Sequence, residues 1–226
     1  MQCVILAAGK GTRLRPLTED KPKQLVEVLG KPLIDYIAEA LPSAVDEIIM
    51  VIGYKAEMIE AYCDDTFHGR KVTYIRQENP TGTAHALWLC KDLLKGRFLF
   101  MFGDDIHGAS DIARAASYSR ALLIAQVDMP EKFGIVVRNP DGTLSEMIEK
   151  PEHAPSNYAS TGAMVLDDNI FEFEPLTPIK GEFYLTEVIE RYAKKYPVAL
   201  VEQQTWIPIG YPEDIIKAEN ILAKLH

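Results

Sequence analysis

Cysteine is scarce in this chain of 226 residues: Cys3, Cys63 and Cys90 are all there are. Three thiols so far apart make no disulfide framework, and no CxxC pair suggests zinc. They read as small buried hydrophobes. No apolar run approaches the roughly 18 residues of a membrane span. The opening run, about five residues without a basic leader, does not have the make-up of a secretory signal. The expected location is therefore cytoplasmic, with no membrane partner. Positive charge is in deficit too. Against 33 Asp and Glu stand 24 Lys and Arg, for a formal net charge of −9. That balance argues against nucleic acid as a partner, because a duplex binder needs a basic face to displace counterions. Internal repeats, low-complexity tracts and linkers rich in Pro, Gly and Ser are absent, so one domain over 1–226 is expected.

The positive charge that exists is concentrated. In "LAAGKGTRLRPLTEDKPKQL", residues 6–25, Lys10, Arg13, Arg15, Lys21 and Lys23 gather in one segment. Such a local reversal suits a small polyanion such as a nucleotide, with a solvated basic loop as the alternative.

Short apolar runs alternate with stretches of helical period through the first half. Residues 2–8, 47–53, 71–77, 98–103 and 121–127 read as strands, and 32–41, 55–63, 83–94 and about 110–118 as helices. This order predicts an α/β fold: a Rossmann-like, mixed but mostly parallel sheet flanked by helices. After Asp128 the pattern changes. "FGIVVRNPDGTLSEMIEKP" holds two strand-like runs around an Asn-Pro-Asp-Gly turn, a hairpin signal. A strand near 158–166 and helices near 184–195 and 212–225 follow, bracketing a strand-like 197–210. The division expected is a first half over about 1–128 and a second half over about 129–226 that looks like a lobe, carrying the β-hairpin, grafted onto the same sheet.

A glycine-rich turn after the first strand lies at the carboxyl edge of such a sheet, where ligands bind in open α/β folds. Glycines at 9 and 11 let the backbone approach a phosphate and aim N–H groups at it. Two familiar loops are excluded. A P-loop needs Lys then Ser or Thr after its last glycine, whereas Gly11 follows Lys10; a dinucleotide fingerprint needs Gly or Ala at position 14, which is Leu14.

The remaining pattern, Gly-x-Gly-Thr-Arg followed by Pro22-Lys23, resembles the signature of the sugar-1-phosphate nucleotidylyltransferases, or nucleotide-sugar pyrophosphorylases. "RQENPTGTAHAL", "FLFMFGDD", "EMIEKP", "YASTGAMVL" and "GEFYLTEVI" are similar to family elements in the same order. The resemblance implies transfer of a nucleotidyl group from a nucleoside triphosphate, UTP or dTTP, to a sugar 1-phosphate with Mg²⁺ as cofactor. It implies catalytic roles for Arg13, Lys23 and Asp104. Leu6, Ala8, Gly9, Gly11, Thr12, Gln77, Gly82 and Thr83 would line the nucleotide. Gln77, five residues before Gly82, stands where uracil- and thymine-using members read the base, and its amide offers donor and acceptor for a pyrimidine edge. Gly134, Glu149, Lys150, Ser160 and Glu182 would meet the sugar phosphate. Asp104 is the implied metal ligand, consistent with the oxygen ligands Mg²⁺ takes.

One departure stands out. Many relatives read Trp-x-Asp-x-Gly where this chain has "WIPIG", so Pro208 replaces the second metal-binding acid. Either Asp104 acts with phosphates and waters alone, or Asp214 substitutes, or catalysis is impaired. The rival readings are accordingly a regulatory protein that binds nucleotide-sugars without turnover, and a cytidylyltransferase acting on a non-sugar phosphate. His85 is expected to be a packed or capping residue, and Trp206 a core or half-buried aromatic. A homo-oligomer, where one forms, would pair through this domain itself.

Overall fold

The computed structural model describes residues 1–79, 81–176, 178 and 181–224. In chain order the strands are β1 (Gln2–Ala7), β2 (Glu27–Val28), β3 (Lys31–Pro32), β4 (Glu47–Ile52), β5 (Thr66–Phe67), β6 (Arg70–Arg76) and β7 (Arg97–Phe102). They continue with β8 (Asp105–His107), β9 (Ala121–Gln126), β10 (Gly134–Arg138), β11 (Leu144–Glu149), β12 (Tyr158–Asp167), β13 (Ala199–Glu202) and β14 (Trp206–Pro208). The helices are α1 (Leu33–Ala40), α2 (Ala56–Cys63), α3 (Thr83–Trp88), α4 (Ala109–Ala116), α5 (Leu185–Lys195) and α6 (Pro212–Leu222). No described helix is long and apolar enough to cross a membrane.

Ten strands form the main sheet, whose principal path runs β11-β10-β12-β7-β1-β4-β6-β5, with β9 and β13 branching from β12. Its heart is the expected parallel set: β7, β1, β4 and β6. Strands covered on both faces need apolar residues throughout, which is why "QCVILA", "EIIMVI" and "RFLFMF" are near-continuous apolar runs. Alternate β1 residues feed opposite layers. Cys3, Ile5 and Ala7 pack with residues of α1, α2 and α4, including Ile37, Ile59 and Ile112. Val4 joins the other layer, with Leu87 of α3 and Val188, Ile189 and Tyr192 of α5.

β12 belongs to two regions at once. Its leading end pairs with β10 (Ala159 opposite Ile135), and its trailing residues 163–167 pair antiparallel with β7. The register with β9 shifts between Ser160 and Met164. Gly162 sits at this kink with φ +79°, and a Cβ built there would fall 2.2 Å from Phe102 Cδ2. Only glycine meets both demands.

Two stretches differ from expectation. The helix expected over 83–94 is α-helical only to Trp88, after which the turns tighten: the N–H groups of Cys90, Lys91 and Leu93 reach carbonyls three residues back. The stretch 197–210 divides into β13 beside β9 and β14, which leaves the main sheet to pair with β8. Residue 225, inside the last expected helix, lies outside the described residues.

Candidate active site

The parallel strands deliver their carboxyl ends to one edge. The glycine loop leaves β1 there, Gly53 leaves β4, Gln77 leaves β6, and Gly103-Asp104 leaves β7. The exits are packed together: Gly103 N donates to Leu6 O at 2.9 Å, Gln77 N to Ile52 O at 2.8 Å and Tyr54 N to Ala8 O at 3.2 Å. A Cβ on Gly103 would stand 2.6 Å from Leu6 O, so the backbone itself occupies the space beside β1.

Within the loop, Gly9 is exposed, Gly11 has φ +59°, and Thr12–Leu14 form one 3-10 turn. Leu14 is buried with Ile106, Ile207, Ile209 and Leu222, anchoring the basic segment into a satellite core. A large apolar residue there replaces the small one a dinucleotide loop needs. Thr18 Oγ1 donates to Gly11 O at 2.8 Å, and a Cβ at Gly11 would lie 3.2 Å from Lys23 Cβ. The two ends of the motif are thus in contact.

Lys23 is 7% exposed, unusual for a lysine, and its Nζ donates to Asp104 Oδ2 at 2.9 Å. The Asp104 side chain keeps 38% of its exposure. A buried cation and a half-open carboxylate therefore face each other where the glycine loop meets the end of β7. Arg13 points differently, its guanidinium 5.4 Å from the centre of the Tyr211 ring.

Asp105 does not face solvent as a spare acid. Its Oδ2 accepts from Trp206 Nε1 at 2.9 Å and its Oδ1 from Ile209 N at 3.2 Å, fastening β14 to β8. Desolvation, and then the neighbouring Asp104 charge, push its carboxyl up to about 7. Pro208 is opposite Asp105 in that pairing. Asp214 is otherwise engaged: Oδ2 accepts from Gly210 N at 3.0 Å and Tyr211 N at 2.8 Å, and Oδ1 from Lys217 Nζ at 3.0 Å, capping α6. Among the described residues no three His, Cys, Asp or Glu side chains converge as metal ligands.

Gln77 is 7% exposed and its Nε2 reaches Gly82 O at 3.3 Å and His85 Nδ1 at 3.2 Å. Thr83 Oγ1 accepts from Leu185 N at 3.0 Å, tying this segment to the start of α5. On the hairpin side, Glu149 accepts from Thr186 Oγ1 at 2.6 Å and lies 3.1 Å from Lys150 Nζ. Gly134 backs Glu149, where a Cβ would meet Oε2 at 3.3 Å. Lys150, at φ +43°, holds its ammonium 5.2 Å from the centre of the Tyr184 ring, and burial, then the nearby Glu182, push the Tyr184 hydroxyl above the usual tyrosine range. Ser160 Oγ accepts from Gly162 N at 3.4 Å, at the β12 kink.

Several contributors escaped sequence reasoning. Trp206 joins the regions, packing edge-on to Phe133 at 5.6 Å while donating to Asp105. Thr186 and Tyr184 flank the Glu149-Lys150 pair, and Tyr211 stacks with Arg13.

With this geometry in view, comparison with known proteins is informative. The profile of a family described as nucleotidyl transferase matches residues 2–224. The UTP–glucose-1-phosphate uridylyltransferase AglF of Haloferax volcanii is 39% identical, over 98% of this chain and 96% of its own length. The bifunctional protein GlmU of Methanococcus maripaludis is 36% identical over 97% of this chain, which spans 54% of that longer protein. A UDP-glucose pyrophosphorylase solved with UDP-glucose superposes with a TM-score of 0.85 at 26% identity, covering 100% of this chain and 99% of the other. A Bacillus anthracis protein assigned as a glucose-1-phosphate thymidylyltransferase, in complex with sucrose, gives the same TM-score of 0.85 and 26% identity, covering 98% of this chain and 94% of the other.

Proposed function

Because the chain belongs to the nucleotidyl transferase family, we propose that it condenses a nucleoside triphosphate, UTP or dTTP, with a sugar 1-phosphate to give a nucleotide-sugar and pyrophosphate. The observation that carries this reading is the buried Lys23 ammonium 2.9 Å from Asp104 where the Gly11 turn meets the end of β7. A lysine held in that position presents fixed positive charge to whatever the glycine loop binds.

In the reaction, a phosphate oxygen of the sugar 1-phosphate forms a bond to the α-phosphorus of the nucleotide. The bond from that phosphorus to the bridging oxygen breaks and pyrophosphate leaves. The attacking oxygen is already anionic, so no general base is required. The demanding task is to hold two polyanions together. Lys23 and the loop N–H groups face the triphosphate, Arg13 joins them on leaving the Tyr211 ring, and Lys150 faces the sugar phosphate; together they offset the repulsion and the charge on the five-coordinate phosphorus. Gln77 contacts the base, and Glu149 the sugar hydroxyls.

Asp104 fits a magnesium role by chemistry: a half-exposed carboxylate whose one described partner is Lys23. Mg²⁺ is commonly held by one or two carboxylates plus substrate phosphates, and when bound it neutralises phosphate charge. Pro208 brings no carboxylate to β14 and Asp214 caps α6, so Asp104 is the protein ligand we assign.

The test is a pyrophosphate-release assay across nucleoside triphosphates and sugar 1-phosphates. Release with UTP or dTTP is expected, abolished by EDTA and by Asp104→Asn. Full turnover under both treatments would remove the metal role, and no release with any pair would refute the activity and favour the non-catalytic binding protein.

A further inference from the structure

We infer that the Gly82 carbonyl and His85 hold the Gln77 amide in one orientation, making His85 a positioning residue that favours a base carrying a ring N3–H, uracil or thymine, over cytosine. This rests on Gln77 being the base contact proposed above, and adds what decides which way its amide faces.

An amide can ordinarily be turned over, exchanging donor for acceptor. Here its neighbours differ in kind. Nε2 lies 3.3 Å from Gly82 O, and a carbonyl oxygen only accepts. Turning the amide over would set two carbonyl oxygens against each other. The second amide hydrogen meets His85 Nδ1 at 3.2 Å, and since an NH₂ group cannot accept, that ring nitrogen must. The imidazole proton is thereby assigned to Nε2. Both donors of Gln77 are used inside the protein. Its Oε1 has no donor among the described residues, yet is not one of the buried unpartnered atoms, so it stays open to a ligand.

The frame is itself fixed. Gly82 O also accepts from Ala86 N at 3.2 Å, and a Cβ on Gly82 would come within 2.3 Å of Phe183 O. Gln77 can therefore present only an acceptor. Uracil and thymine carry N3–H between two carbonyls, whereas cytosine carries a bare N3 there. Acceptor against acceptor leaves both unpaired, and sites built on one hydrogen bond discriminate strongly against partners unable to make it.

The experiment compares kcat/KM for UTP and CTP, with whichever sugar 1-phosphate the wild type uses best, in the wild type, His85→Ala and His85→Lys. Alanine removes one of two restraints, and the UTP:CTP ratio is expected to fall about tenfold. Lysine offers only donors and draws Oε1 toward itself, so the ratio is expected to fall about a hundredfold. The added charge attracts both triphosphates alike and cancels in the ratio, as does any general loss of folded protein. An unchanged ratio in both variants, with UTP still consumed, overturns the lock. Independently, a long-range ¹H–¹⁵N spectrum of the nucleotide-free protein should show His85 protonated at Nε2 with Nδ1 bare. A proton on Nδ1 overturns the lock whatever the activity. A wild type that releases no pyrophosphate refutes the function proposed above instead, and the tautomer then decides the lock by itself.

Discussion

The edge of the parallel strands and the hairpin region present charge in different ways. Lys23 is buried, its side chain 8% exposed, braced by Gly11 and fixed on Asp104, whereas the Lys150 side chain is 51% exposed and leans on a tyrosine ring. The first is held by strand ends that pack on each other's backbone, the second by a turn residue at positive φ. Rigid placement suits a group that must meet charge developing at one phosphorus atom. On the reading proposed above, an exposed ammonium suits first capture of the sugar phosphate.

Substitutions test this contrast. The largest effect is expected for Lys23→Ala, which should lower kcat for pyrophosphate release by roughly 10²–10³, about 2.7–4 kcal/mol of barrier, with the circular dichroism spectrum unchanged. Near-normal turnover would mean that the buried ammonium does not serve the reaction. Gly162→Ala forces a methyl group into the Phe102 ring at positive φ, and a loss of about 3 kcal/mol in urea unfolding is expected. Unaltered stability would show that the β12 kink relaxes freely. Lys150→Ala should raise KM for the sugar 1-phosphate about tenfold, near 1.4 kcal/mol, with a smaller change in kcat. An equal fall in kcat would make the two lysines alike and undo the distinction.

The effect that is smallest near neutral pH, and grows only as acid is added, concerns titration. Burial holds the His107 imidazole down to about 4, against a modest opposing bond from Gln203. The unfolded chain then binds a proton that the folded chain refuses, so stability is complete above about 6.5 and is lost as pH falls toward 4. His107→Gln should flatten that slope in urea titrations at a series of pH values. A slope that persists would assign it to other groups.

The parallel heart of the fold was legible because doubly covered strands must be apolar throughout, and residues 2–7, 47–52 and 97–102 are. The proximity of Gly11, Lys23 and Asp104 was foreseeable once the loop was placed at the strand edge. The β8–β14 pairing was not, since each strand has three residues, with 98 residues between them and a proline in one. The use of Trp206 Nε1 and the acceptor role of His85 were also hidden, because sequence gives a side chain's capacity for bonding but not its neighbours. The end of α3 left no mark either, as Leu89 and Leu93 continue an apolar pattern while lying exposed. By contrast, the Asp214 cap had a readable signal, an acid at the third helical position, two residues after Pro212.

A single ribbon of backbone, β12, stitches the hairpin to the parallel strands, and its bend leaves no room for a side chain. Engineers wishing to graft a different hairpin onto this scaffold must therefore place the splice upstream of Gly162, and transplant Gly162 with Phe102 as an inseparable couple if they cut beyond it.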